Sequence, residues 1–144
     1  MPTLILKLAA PHDRERDQAL AVALTAITAS TLGKRAEVTA VLIEDLPAAR
    51  WFVGARPAQW PTALLEISIT AGTNTPAQKA AFIEAAFAEL QGQLSPAGSL
   101  EEASYVIVRE VAASDWGYGG RTQQARRGQL GAQGPEIEPQ RARS

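Results

Sequence analysis

Hydrophobic and polar positions follow two periods along the first half of the chain. An apolar run over residues 3–8 predicts a strand that is buried on both faces. Apolar residues then return at helical spacing between Asp13, a capping residue, and Gly33, a helix terminator, which predicts a helix. A second apolar run over residues 38–43 predicts another strand. The first half therefore indicates a strand-helix-strand unit.

The second half has the same order of patterns. Alternating apolar residues over 64–69 predict a strand with one buried face. Thr75 and Gln78 have the spacing of a capping box, with proline at the first helical position, and Gly92 is predicted to lie just past the helix end. Residues 105–109 predict the last strand. The chain thus contains two similar units with a period of roughly 60 to 65 residues, which indicates an internal duplication.

Matching landmarks close each unit after its second strand. An acidic residue is followed by a tryptophan and then a glycine, as Glu44, Trp51 and Gly54 in the first unit and Glu110, Trp116 and Gly119 in the second. Each unit should form a right-handed crossover between two parallel strands. The two units can pair into a four-stranded mixed sheet with both helices on one face, which predicts an α+β fold. The other face would be bare and apolar, so we expect a partner subunit to cover it.

The composition restricts the classes of protein and of site. The 144 residues are 46% hydrophobic and 20% charged, which fits one packed domain. The net charge of -1 gives no electrostatic basis for binding nucleic acid or an anionic membrane. There is no cysteine and a single histidine, which excludes a disulfide framework, a thiol nucleophile and a His-rich metal site. No membrane span or signal peptide is apparent, so we expect a soluble cytoplasmic protein.

The C-terminal residues differ in composition from the two units. From residue 121 onward the chain is rich in glutamine, glycine and arginine and has few large aliphatic residues. We therefore expect a domain over residues 1–125, with one repeat over 2–57 and the other over 61–120. Residues 126–144 are predicted to be a tail that is flexible or packs at a subunit interface.

Pro2 is the strongest candidate for chemistry. If Met1 is removed, the Pro2 nitrogen becomes a free secondary amine at the start of an apolar strand. Burial and nearby cations disfavour the protonated form of such an amine, so its pKa can fall toward working pH and allow general-base catalysis. The alternative is that the proline has no function. Pro61 is internal, so its nitrogen is an amide, and we expect one working site per chain.

These features together resemble the tautomerase superfamily, and the nearest type is 4-oxalocrotonate tautomerase in a fused, double-length form. The resemblance rests on Pro2, on the helix opening over residues 75–79, and on the closing segments over 51–55 and 110–120. It implies a tautomerase/MIF-like fold and a homotrimer. It also implies proton transfer by Pro2 on a small anionic 2-oxo acid, without a metal or organic cofactor. Arginines would hold the carboxylate, and an aromatic ring would keep water out.

The resemblance carries over unevenly to the substrate-binding positions. The family's first arginine falls on His12, or near Asn74 in the second unit, and its second arginine falls on Thr39 and Tyr105. Neither arginine is therefore where the family has it, and other residues must be considered as replacements. The candidate substrate-binding residues are Arg109, Tyr105, His12, Arg14, Arg50, Trp51 and Trp116, with Lys7 as a further cation.

Each of these candidates has an alternative role. A cation is more often a solvated surface charge, a tryptophan can be a core or interface residue, and His12 can belong to a turn. Two other functions also stay open. One is hydration, dehalogenation or decarboxylation of a three-carbon acid by a protonated proline, and the other is a non-catalytic trimeric binding protein.

Overall fold

In the computed structural model of the chain, the backbone is described for residues 1–133 and the side chains for residues 1–128. The prediction for the last part of the tail, residues 134–144, lies outside the described residues. In chain order the elements are β1 (Thr3–Ala9), α1 (Arg14–Leu32), β2 (Ala40–Asp45), β3 (Phe52–Val53), β4 (Arg56–Pro57), β5 (Thr62–Thr70), α2 (Pro76–Leu94), β6 (Tyr105–Val111), β7 (Gly117–Tyr118), β8 (Arg121–Thr122) and α3 (Gln123–Gln133).

The four long strands form one mixed sheet in the order β2-β1-β5-β6. β1 runs parallel to β2, and β5 runs parallel to β6. The two parallel pairs meet where β1 and β5 run antiparallel, with Leu4 opposite Ile67 and Leu6 opposite Leu65. The predicted α+β fold with a four-stranded mixed sheet is therefore confirmed.

The hydrophobic core lies between one face of this sheet and the two long helices. Alternate residues of β1 and β5 point into it, as the period of two requires. The helices contribute stripes at a spacing of four residues. The fully buried large side chains are Leu4, Leu6, Leu8, Leu20, Leu24, Leu65, Ile67, Ile69, Phe82 and Leu90.

The helix starts agree with their capping signals, and one helix end does not. The Asp13 side chain accepts a hydrogen bond from the Arg16 amide, and Thr75 forms the expected capping box with Gln78. The prediction that α2 ends before Gly92 was wrong, because the helix continues to Leu94. Leu94 is only 7% exposed and packs against the core, and this burial favours another turn of helix despite the glycine.

β2 begins two residues later than the apolar pattern predicts. Residues Ala36–Val38 form a single 3-10 turn instead of strand, and the Thr39 hydroxyl donates to the Arg35 carbonyl at 2.7 Å. The strand then starts where the Ala40 amide donates to the Pro2 carbonyl at 3.1 Å. This bond fixes the first residues of β1 against β2.

A short hairpin closes each half of the chain. β3 pairs with β4 around Gly54 and Ala55, and β7 pairs with β8 around Gly119 and Gly120. All four turn residues have positive φ, as two-residue hairpin loops of this kind require. The two halves therefore share the same order of strand, helix, strand and hairpin.

The sheet face opposite the helices, which we call the open face, is mixed in character. It exposes apolar area, with Ile5 38%, Leu42 52% and Tyr105 61% exposed. It also carries an ion pair in which Arg109 Nη2 lies 2.8 Å from Glu66 Oε2. No helix within the described residues is both long and apolar enough to cross a membrane.

Candidate active site

The strand directions bring several chain segments to one end of the sheet, which we call the Pro2 end. β1 and β2 begin there, while β5 and β6, which run the opposite way, finish there. The Ala71 amide donates to the Val111 carbonyl at 2.9 Å and ties the last two strand ends together. Because α1 connects β1 to the parallel β2, the carboxyl end of α1 also lies at this end.

The chain's amino group at the Pro2 end has an unusual environment. The pKa of the Met1 amino group is lowered to about 6, first by burial and then by the charges of Lys34, Arg35 and Arg126. Pro2 itself is buried. An amine here is therefore largely neutral at pH 7, in the form that accepts protons.

Lys34 and Arg35 reach this position because α1 ends immediately before them. Gly33 has φ 69°, and its amide donates to the Ala29 carbonyl, which ends the helix in the left-handed conformation. The Lys34 ammonium donates to the Thr73 hydroxyl at 2.9 Å, so the turn after β5 holds it. Burial, and then the charge of Arg127, lower the pKa of Lys34.

Arg126 lies on the first turn of α3, which follows the second hairpin. Its guanidinium carbon lies 4.0 Å from the centroid of the Tyr118 ring. Its Nε and Nη2 also donate to the Tyr118 carbonyl, at 3.2 and 3.0 Å. The second hairpin therefore positions this cation at the Pro2 end.

Two of the predicted site residues lie at the Pro2 end of the sheet. Trp116 is half-buried at the entry to the second hairpin, and its Nε1 is buried without a hydrogen-bond partner among the described residues. Arg109 lies near the end of β6 but points onto the open face. Its hydrogen bond to Glu66 lowers the pKa of that carboxyl and raises the pKa of Arg109 itself.

The other predicted residues lie at the opposite end of the sheet. β1 is about 20 Å long, so a single chain does not bring these residues to Pro2. His12 follows β1, and its Nδ1 lies 2.8 Å from Asp45 Oδ2. The remaining residues of this group are Arg14 at the start of α1, Arg50 and Trp51 after β2, and Tyr105 at the start of β6. Lys7 lies on β1, opposite Leu64 and beside Glu44.

One group of potential metal ligands occurs at that opposite end. Ligand atoms of His12, Asp17 and Asp45 lie within 4.8 Å of one another. Asp17 already pairs with Arg16, at 3.2 Å. This guanidinium supplies a cation beside the cluster, so we assign no metal to it.

The three cations that lower the pKa of the amine, Lys34, Arg35 and Arg126, were not among the predicted site residues. For the first two a signal was present, because they follow Gly33. A crossover helix that returns the chain to a parallel strand must end beside the start of the first strand. For Arg126 there was no such signal, since its position depends on how α3 folds back after the second hairpin.

Comparison with known proteins defines the class of this fold. No protein-family model and no curated protein matches the chain. Among solved structures, a native fused 4-OT is 30% identical, with a TM-score of 0.73 over 85% of this chain and 97% of the other. A wild-type fused 4-OT in an asymmetric trimer is 28% identical, with a TM-score of 0.75 over 86% and 98%. Macrophage migration inhibitory factor from Toxoplasma gondii shares the fold at 18% identity, with a TM-score of 0.69 over 83% and 98%.

The sheet of two βαβ units, with a partly buried amino group just before its first strand, defines a fused, double-length protein of the tautomerase/MIF-like fold. The chain belongs to the tautomerase superfamily and is a relative of fused 4-OT. The predicted resemblance is therefore confirmed at the level of the family.

Proposed function

We propose that this protein is a cofactor-independent tautomerase that uses Pro2, after removal of Met1, as a general base on a small 2-oxo acid. The observation that carries the proposal is the environment of the chain's amino group, where burial and three cations lower the pKa to about 6. Its family membership supports the same conclusion, since fused 4-OT proteins share its fold.

Removal of Met1 would leave Pro2 in place. The Pro2 carbonyl accepts a hydrogen bond from the Ala40 amide, and Thr3 begins the paired register of β1. The new secondary amine would lie next to the position of the present amino group and close to the same cations. The same burial and cations would lower the pKa of the Pro2 amine as well, which favours its neutral, proton-accepting form.

In the proposed reaction, the neutral Pro2 nitrogen takes a proton from the enol hydroxyl or from a carbon next to the substrate carbonyl. The electron pair that remains is shared between that position, the carbonyl oxygen and any conjugated carbon. The protonated proline then returns the proton to another carbon, which completes a 1,3- or 1,5-transfer without net loss of atoms. Lys34 and Arg35 stabilise the developing negative charge electrostatically.

We further propose that the working form is a homotrimer. The open face exposes Ile5, Leu42 and Tyr105, and one subunit alone leaves this area in contact with water. Fused 4-OT relatives have been solved as trimers. Sedimentation velocity should give a trimer mass, and a stable monomer at micromolar concentration would contradict the proposal.

The test of function begins with the intact mass of the protein from its own host, which must show that Met1 is removed. The mature protein is then assayed with phenylenolpyruvate and with 2-hydroxymuconate, beside the variant Pro2→Ala. We expect kcat/KM to rise with pH through the lowered pKa of the Pro2 amine and then to level off, because only the neutral amine is a base. Loss of about a hundredfold or more in Pro2→Ala supports the assignment.

Other outcomes would identify a different function. Retention of Met1, or equal activity of wild type and Pro2→Ala, excludes Pro2 as the base. A rate that falls as pH rises through the same pKa would indicate a protonated proline acting as an acid, as in the hydratase, dehalogenase or decarboxylase alternative. Binding of these acids without turnover would favour a non-catalytic protein.

A further inference from the structure

The C-terminal arm, residues 117–133, consists of the second hairpin and α3 and lies at the Pro2 end. The Gln123 amide donates to the Trp116 carbonyl and the Gln124 amide to the Ala113 carbonyl, each at 2.9 Å. The Ala125 amide donates to the Thr122 hydroxyl at 2.9 Å, which caps the start of α3. These three bonds fix the helix start on the loop before β7, and Arg126 is the next residue along the helix.

Tyr118 holds the Arg126 guanidinium from two directions. The ring lies under the guanidinium with its centroid 4.0 Å from the central carbon, and the Tyr118 carbonyl accepts from Nε and Nη2. A guanidinium has five N–H groups, of which two are used here. The other three have no acceptor among the described residues. A planar cation fixed in this way offers a pre-oriented fork to an anion such as a carboxylate.

The neighbouring cations at the Pro2 end bind other side chains of the protein. The Lys34 ammonium donates to Thr73, and the Arg35 guanidinium pairs with Glu37 at 3.1 Å. The charges of Lys34, Arg35 and Arg126 all lower the pKa of the chain's amino group, and the charge of Arg127 lowers the pKa of Lys34. Of these groups, Arg126 combines proximity to the amine with a fixed, half-buried guanidinium.

The first repeat has no counterpart to this arrangement. Its hairpin has Val53 where the second hairpin has Tyr118, as their matching registers show. Eight residues after Val53 the chain has Pro61, whereas eight residues after Tyr118 it has Arg126. The cation and its aromatic support therefore belong only to the end of the sheet where the amine lies.

We propose that Arg126, held on Tyr118, binds the substrate carboxylate and orients the 2-oxo acid against the Pro2 amine. This inference rests on the proposed tautomerase function. Arg126 would take the place of one of the family arginines that the sequence lacks. It identifies a substrate-binding residue supplied by the chain's own C-terminal arm.

The test compares three variants of the mature protein: Arg126→Gln, Arg126→Lys and the matched control Arg127→Gln. Arg127 is exposed, lies one residue along the same helix and does not act on the amine directly. KM and kcat are measured with phenylenolpyruvate and 2-hydroxymuconate across pH. Calorimetry measures the binding of muconate, a dicarboxylate that lacks the 2-hydroxyl group and cannot tautomerise.

For Arg126→Gln we expect KM and the muconate Kd to rise about tenfold to a hundredfold, which corresponds to the usual free-energy contribution of a hydrogen bond to a charged group. The pKa seen in kcat/KM should also rise, because a positive charge that disfavours the protonated amine is gone. Arg126→Lys should keep the pKa but still weaken binding, since lysine lacks the fork geometry. Arg127→Gln should stay within about twofold of wild type in both Kd and KM.

The two proposals fail in different ways. If wild-type turnover does not depend on Pro2, the proposed function is wrong, and muconate binding still tests Arg126 by itself. If turnover depends on Pro2 but Arg126→Gln binds muconate as tightly as Arg127→Gln does, the role of Arg126 is refuted. A thermal melt of each variant shows that the compared proteins are folded.

Discussion

Replacing Gly117 with alanine would test whether the second hairpin positions Arg126. Gly117 pairs with Thr122 at the base of this hairpin. A Cβ at Gly117 would overlap the carbonyl oxygen of Arg121 and would lie 2.6 Å from its carbonyl carbon and 2.7 Å from the Thr122 Cα. These are backbone atoms, so no side chain can rotate to make room.

The size of the disturbance follows from these distances. Ordinary contacts of a Cβ begin at 3.4 Å. The Arg121 carbonyl carbon alone must move by about 0.8 Å to reach that distance, and the overlapping carbonyl oxygen must move farther, with an overpacking cost of about 1 to 3 kcal/mol. The Arg126 bonds to the Tyr118 carbonyl are 3.0 and 3.2 Å long. A shift of about 0.8 Å along them gives roughly 3.8 to 4.0 Å, beyond hydrogen-bond distance. The hairpin contributes no residue to the hydrophobic core, so the fold should survive.

The assay is the binding of muconate together with a thermal melt, and Gly120→Ala is the control. At Gly120 a Cβ meets nothing within 4 Å, and Ala55 adopts a similar positive φ in the first hairpin, so only backbone strain of about 1 kcal/mol is added. We expect Gly117→Ala to lose affinity about as much as Arg126→Gln does, with Tm lowered by no more than about 10 °C. Wild-type affinity in Gly117→Ala would refute the reasoning.

Three further predictions concern stability. Leu90 is fully buried in the core, so Leu90→Ala should lower the free energy of unfolding by about 2 to 5 kcal/mol in urea titrations; a loss under 1 kcal/mol would show that the site is not packed as described. Thr75→Ala removes the capping box with Gln78 and should cost about 1 kcal/mol by the same measurement, against no change if the cap is unimportant. The Lys79 ammonium holds the pKa of the Glu110 carboxyl below its usual value. The pair therefore stabilises the fold at pH values above the pKa of Glu110 in the unfolded chain, and this stabilisation is lost as pH falls. Glu110→Gln should therefore be less stable at neutral pH and should lose less stability than wild type between about pH 5 and 3; parallel pH curves would contradict this.

The fold was predictable because its main elements follow local patterns. The alternation over residues 64–69 predicted the buried side of β5, and Asp13 and Thr75 predicted both helix starts. The errors lie at element ends, where packing outweighs propensity. Gly92 is a poor helix residue, yet α2 passes through it because Leu94 is buried.

The candidate site was less predictable because the residues near Pro2 in the sequence are not the ones that lie near it in the fold. His12 and Arg14 are near Pro2 in sequence, but a strand about 20 Å long separates them from it. Lys34 is distant in sequence and lies close in space, because a crossover helix returns the chain to where the strand began. Applying this topological rule to the predicted βαβ unit would have identified Lys34. Arg126 depends on tertiary packing of the arm, which leaves no periodic signal.

On the proposed function, the repeated βαβ backbone carries chemistry at one of its two equivalent places. Pro2 lies two residues before Leu4, the first of the alternating buried residues of β1, and Ala63 lies two residues before Leu65 in β5. The Ala63 nitrogen is an amide within the chain, and it donates to the Ser104 hydroxyl at 3.0 Å. An amide with this bond cannot take a proton, whereas the start of a chain supplies an amine. On the proposed function, fusion of two units therefore removes the base from the second unit, and that unit is free to supply the arm that carries Arg126.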